Sequence, residues 1–112
     1  MEFEGFIIHH TVCGKDDGSW DFLIRADGTV TPSPAPSRAG YICIALEGDF
    51  DRDYNLMTSA QKEQLFTASK IIMELSRLYQ MSPLYLIPHS SSCPGAQFPW
   101  NSLVIYPADG YH

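Results

Sequence analysis

Histidine and cysteine are the residues whose types and spacing give this chain a route to chemistry. His9 and His10 stand side by side at the end of an apolar run, and His89 and Cys93 share a polar segment, His-Ser-Ser-Ser-Cys-Pro-Gly. Taken alone, a histidine pair is ordinarily a satisfied core or edge feature, and one His near one Cys on a loop is ordinarily incidental. Both segments nevertheless follow stretches of strand composition, and a sheet brings the C-terminal ends of distant strands together. Two imidazoles and one thiolate make a catalytic-type zinc set, with the fourth position left for water. Sulfur beside imidazole favours zinc over magnesium or calcium. A closed structural site built from His10, Cys13, His89 and Cys93 is the rival arrangement. The acidic run Asp49, Asp51, Asp53 lacks the glycine and distal glutamate of a calcium loop, so surface solvation accounts for it better.

The elements that must position these groups are legible from pattern. Phe3 to His9 has the β-branched and aromatic content of a short buried strand. Trp20 to Arg25 reads as a second strand, with Ala26-Asp27-Gly28 as a hairpin turn into Thr29-Val30-Thr31. The alternating prolines from Pro32 to Pro36 predict a loop. In Tyr41 to Glu47, Ile42, Ile44 and Leu46 share one face, while Cys43, Ala45 and Glu47 share the other. Cys43 then either faces the site or fills the core as a small residue. Thr58-Ser59-Ala60-Gln61 is a capping-box pattern opening a helix to about Gln80. Its apolar stripe is Leu65, Ala68, Ile72, Leu75 and Tyr79. Leu84 to Ile87 reads as a further short strand, and Phe98 to Leu103 as a short closing helix. The fold class expected is α/β: a small single domain over residues 1–112, with a central mixed β-sheet, one long helix packed on it and a short C-terminal helix.

Bulk properties narrow the partners. A chain of 112 residues has room for one core. An apolar share of 45% against 18% charged residues argues for a folded domain. The formal charge of −6 and the scattered seven Lys and Arg residues exclude a phosphate-backbone partner, since no basic face could release counterions. No apolar run reaches the roughly 18 residues of a membrane span. The acidic start Met-Glu-Phe-Glu-Gly lacks the basic and apolar regions of a signal peptide, so the expected location is cytoplasmic as synthesised, with export by another route left open. Three cysteines without a signal peptide favour thiol or metal chemistry over a disulfide scaffold.

Five segments, in order from about Gly5 to Trp100, carry a family resemblance. Phe6-Ile7-Ile8-His9-His10-Thr11 resembles the I-I-H-H-T strand of N-acetylmuramoyl-L-alanine amidases and peptidoglycan recognition proteins. Trp20 to Val30 resembles that family's Y-H-F-L-I-x-x-D-G-T-I hairpin. Arg38-Ala39-Gly40 resembles its H-A-G, Ile42 to Gly48 its I-G-I-E-L-x-G strand, and Cys93-Pro94-Gly95 with Phe98-Pro99-Trp100 its C-P-G-x-x-F-P-W ending. The resemblance implies one zinc held by His9, His89 and Cys93. It also implies hydrolysis of the amide between the lactyl group of N-acetylmuramic acid and L-alanine, in a peptidoglycan or muropeptide substrate of bacterial or phage setting. Zinc there would polarise the carbonyl and lower the pKa of a water.

The departures from the family pattern fall on its catalytic residues. The family's Tyr is Trp20 here, the Glu of other members is Ala45, its Lys before the last ligand is Ser91, and the His of H-A-G is Arg38. The helix between the first ligand and the hairpin is missing. Loss of general acid–base catalysis costs roughly 10²–10⁴ in rate, so an active enzyme needs a replacement acid. Glu47 is the first candidate, on the strand face of Ala45. Asp21, beside Trp20, is the second. For either acid the alternative is a solvated surface carboxylate. The same losses point to a second function class, a non-catalytic module that binds peptidoglycan, and a third possibility is a metal hydrolase with a changed amide substrate.

Overall fold

A strand in the middle of a parallel sheet is covered on both faces, and its sequence reads as a continuous apolar run rather than an alternation. Phe-Ile-Ile-His and Ile-Cys-Ile-Ala-Leu have that character, and both occupy the middle of the sheet. The computed structural model describes residues 4–13, 20–32, 40–88 and 93–103. In chain order its strands are β1 (Gly5–His10), β2 (Phe22–Ile24), β3 (Val30–Pro32), β4 (Tyr41–Leu46) and β5 (Leu86–Pro88), with one helix, α1 (Ser59–Tyr79), between β4 and β5. They form a mixed sheet in the order β3-β2-β4-β1-β5. β1 pairs parallel with β4 and β5, β2 pairs parallel with β4, and β2 and β3 form an antiparallel hairpin.

The expected α/β class and layout hold, with three corrections of detail. Pro32 closes β3 instead of opening a loop; β3 is an edge strand, where a residue without an N–H is tolerated. Residues 33–36 of that proline stretch, and Arg38, lie outside the described residues. The closing helix is shorter than expected, a 3-10 turn at Trp100–Leu103, with Phe98 and Trp100 edge to face at 4.9 Å.

The third correction concerns the helix stripe. Leu65, Ala68 and Ile72 are buried and Leu75 is partly buried against the core, but Tyr79 is 41% exposed. The stripe is therefore buried from Leu65 to Ile72, partly buried at Leu75 and exposed at its last member. Polar residues complete the buried face instead. Gln64, Ser69 and Ser76 are buried, and each is satisfied: the Ser69 and Ser76 hydroxyls donate to the carbonyls of Phe66 and Ile72. Gln64 donates from Nε2 to the carbonyls of Ile24 and Glu47, both at 3.0 Å, tying α1 to the ends of β2 and β4.

The helix starts where the capping box places it. Thr58 Oγ1 accepts the Gln61 N–H and Gln61 Oε1 accepts the Thr58 N–H, each at 3.1 Å. At the start of β1, Gly5 is dictated by contact: a Cβ there would lie 2.7 Å from the Tyr85 carbonyl oxygen, which accepts the Phe6 N–H. No helix among the described residues is long and apolar enough to cross a membrane.

Burial of the stripe predicts a graded response in urea denaturation. Ile72→Ala should cost about 2–5 kcal/mol, and Tyr79→Ala about 1 kcal/mol or less. Equal losses at the two positions would contradict the packing described.

Candidate metal centre

Successive side chains of a strand point to opposite faces, so the two imidazoles ending β1 have different surroundings. His10 shares its face with Phe6 and Ile8, which belong to the core under α1. Its Nδ1 accepts the Phe50 N–H at 3.0 Å. An accepting Nδ1 requires a neutral ring with its proton on Nε2. Burial holds the His10 pKa below the usual imidazole value, against the opposing pull of the Asp49 and Asp51 carboxylates.

His9 takes the other face. Its partner across the ladder is Ala45, whose partner on β2 is Leu23. The His9 Nδ1 lies 3.1 Å from the Cys93 Sγ, a contact between residues 84 positions apart. Both side chains are buried, His9 at 2% exposure and Cys93 at 0%. The His10 backbone N–H points at the same sulfur at 3.4 Å, and the sulfur lies 3.8 Å from the His10 carbonyl. A thiolate is thus offered an N–H donor, and a thiol an acceptor. Neither Cys93 nor the buried Cys43 is in a disulfide.

This pair fits one corner of a zinc site. Zn–S near 2.3 Å and Zn–N near 2.0 Å at a tetrahedral angle put the two donor atoms about 3.5 Å apart, a few tenths of an ångström beyond the observed separation. Imidazole with thiolate is also the donor chemistry zinc prefers. Among the described residues, no group of three His, Cys, Asp or Glu side chains is arranged to hold a metal ion. His89 and Ser91 lie outside the described residues. The rival closed site fares differently at its first member, because Cys93 meets the His10 backbone while the His10 ring accepts from Phe50. The side chain of Cys13 also lies outside the description.

The two candidate acids both accept backbone N–H groups. Glu47 Oε1 accepts from Ala26 at 2.7 Å, joining the loop after β4 to the β2–β3 hairpin. Asp21 Oδ2 accepts from Cys43 at 2.8 Å, and the Asp21 N–H donates to the Cys43 carbonyl, so Asp21 extends the pairing of β2 with β4.

The acidic run is exposed at the surface, as its solvation reading expects, and its carboxylates also organise the loop that leaves β4. Asp49 Oδ1 accepts the Asp51 N–H, Asp53 Oδ2 accepts the Asn55 N–H, and Asp51 Oδ1 accepts the Gln97 N–H just beyond Cys93. Thr11 Oγ1 accepts the Gly48 N–H, and Gln61 Nε2 donates to the Asp49 carbonyl. These roles join segments far apart in sequence. The Asx spacing of Asp49 with Asp51 and of Asp53 with Asn55 was the local signal that could have suggested two of them.

Comparison with solved structures finds the fold in an endolysin, the N-acetylmuramoyl-L-alanine amidase LysCS from Clostridium intestinale URNW. The match has a TM-score of 0.64 at 23% sequence identity, over 92% of this chain and 82% of that one. No family model matches the chain, and no curated protein matches it in sequence. The likeness therefore establishes an amidase-like fold.

The bond from Phe50 to His10 carries a prediction of its own. His10→Phe keeps bulk on the core face but removes the acceptor, leaving a buried N–H unpaired at a cost of about 1–3 kcal/mol. Chemical denaturation of the metal-free protein reads this directly, and an unchanged midpoint would show that Phe50 does not depend on His10.

Proposed function

We propose that this chain is a zinc-dependent, amidase-like hydrolase of peptidoglycan that cleaves the N-acetylmuramoyl–L-alanine amide bond, with His9, His89 and Cys93 as the metal ligands. The observation that carries the reading is the buried contact of His9 Nδ1 with Cys93 Sγ, inside a fold like that of an amidase endolysin. His89 enters as the third ligand on its place in the sequence, four residues before Cys93.

Bound zinc would supply Lewis-acid activation of the scissile carbonyl. The chain's own contribution is to hold His9 and Cys93 together. The His10 N–H would favour the sulfur as thiolate, and Ala45 is the ladder partner of His9. Glu47 is the first candidate for proton transfer and Asp21 the second. A carboxylate that accepts one N–H keeps further lone pairs, so each can serve a water as well as the backbone.

A second reading is a non-catalytic module that binds peptidoglycan or a muropeptide. The engagement of both candidate acids with backbone N–H groups favours it, since that engagement explains their presence without turnover.

Metal analysis and muropeptide digestion separate these readings. The protein should bind about one zinc, and Cys93→Ser should lower affinity sharply, because an open three-ligand site has no spare donor. Glu47→Gln keeps the acceptor for Ala26, so zinc content and stability should persist while turnover drops roughly 10²–10⁴-fold; Asp21→Asn should matter less. Zinc-loaded wild-type protein that binds a muropeptide without cutting it would replace the hydrolase with the binding module. Full zinc occupancy in Cys93→Ser would remove the ligand set.

A further inference from the structure

We infer that Asp51 is a positioning residue for the metal ligand Cys93, acting through the Cys93-Pro94-Gly95 segment; the inference rests on the zinc reading above. Asp51 follows Phe50, whose N–H is held by His10 at the end of β1. Its Oδ1 accepts the N–H of Gln97, 46 positions later, at 2.9 Å. Gly95 has φ +108°, and a Cβ there would land on the Cβ, Cγ and Oδ1 of Asp51. The Asp51 side chain therefore fills the space beside Gly95 as well as bonding the backbone beyond it.

These links close a ring. From His9 the chain passes to His10, across the Phe50 hydrogen bond to Asp51, and across Asp51 to Gly95 and Gln97. It then returns through Pro94 to Cys93, whose sulfur meets His9. Asp51 thus ties the Cys93 segment to the loop after β4. Without it, the sulfur keeps its donor from His10, but the segment carrying it loses an anchor. A ligand pair held in advance binds metal more tightly than one ordered on binding, and partners outside the coordination sphere commonly govern roughly 10–100-fold in affinity. Asp51 is exposed at the surface, so truncating it leaves the core intact.

The test is zinc affinity of the full chain by competition with a chromophoric chelator, with the sulfur-to-metal charge-transfer band of the cobalt-loaded protein as a second readout. Asp51→Ala should bind zinc about tenfold more weakly and show a diminished cobalt band. Asp51→Asn, which keeps the oxygen acceptor and the shape, should restore both. Asp53→Ala removes the same charge nearby and should leave both unchanged. Wild-type affinity and an undiminished band in Asp51→Ala overturn the inference alone, as does equal weakening in Asp51→Asn and Asp53→Ala, which would make the effect one of charge. Wild-type protein that takes up no zinc overturns the metal reading and this inference together.

Discussion

Two adjacent imidazoles leave the end of β1 on opposite faces of the sheet, and the division of labour in the molecule follows from that pleat. One ring, His10, is spent on structure: it faces the core under α1 and holds the Phe50 N–H. The other, His9, faces away and meets Cys93. A shift of one residue in the register of β1 would exchange the two, putting His10 toward the sulfur and His9 into the helix layer. That register is held by pairing on both sides, with β4 and with β5, and by the tight approach of Tyr85 to Gly5.

Around that strand end, polar contacts replace regular secondary structure. The loop after β4 is fastened by His10 and Thr11 from β1 and its continuation, by Gln61 and Gln64 from α1, and by Asp51 to the segment of Cys93. Each is modest alone, since a typical intramolecular hydrogen bond contributes about 0.5–1.5 kcal/mol net. Their shared effect is to hold His9 and Cys93, 84 positions apart, in contact. Preorganisation of this kind is what the proposed metal ligand set would require. Glu47 and Asp21 belong to the same web of backbone contacts, so their chemistry and their structural work have to be separated by substitutions that keep the oxygen acceptor.

The features legible in the sequence are those with local or periodic signatures. The apolar runs of β1 and β4, the Asp27-Gly28 turn, the Thr58–Gln61 capping box and the stripe from Leu65 to Ile72 all matched their elements. Ligand candidates His9 and Cys93 stood out through residue type and the family-like segments around them. What pattern could not reach were contacts between segments. Gln64 looks like a solvent residue in the helix, yet it is buried because two strand ends present carbonyls to it. Tyr79 keeps the helical period and is nevertheless exposed. Asp51 reads as one acid in an acidic run, and its bond to Gln97 spans 46 positions that no local spacing rule connects.

X-ray absorption at the zinc edge of the metal-loaded protein addresses the site at its centre. The account predicts one sulfur scatterer at about 2.3 Å together with nitrogen or oxygen scatterers at about 2.0–2.1 Å, with the sulfur shell lost in Cys93→Ser. A first shell of nitrogen and oxygen alone in the wild-type protein would mean that Cys93 does not bind the metal, and that its contact with His9 serves the fold.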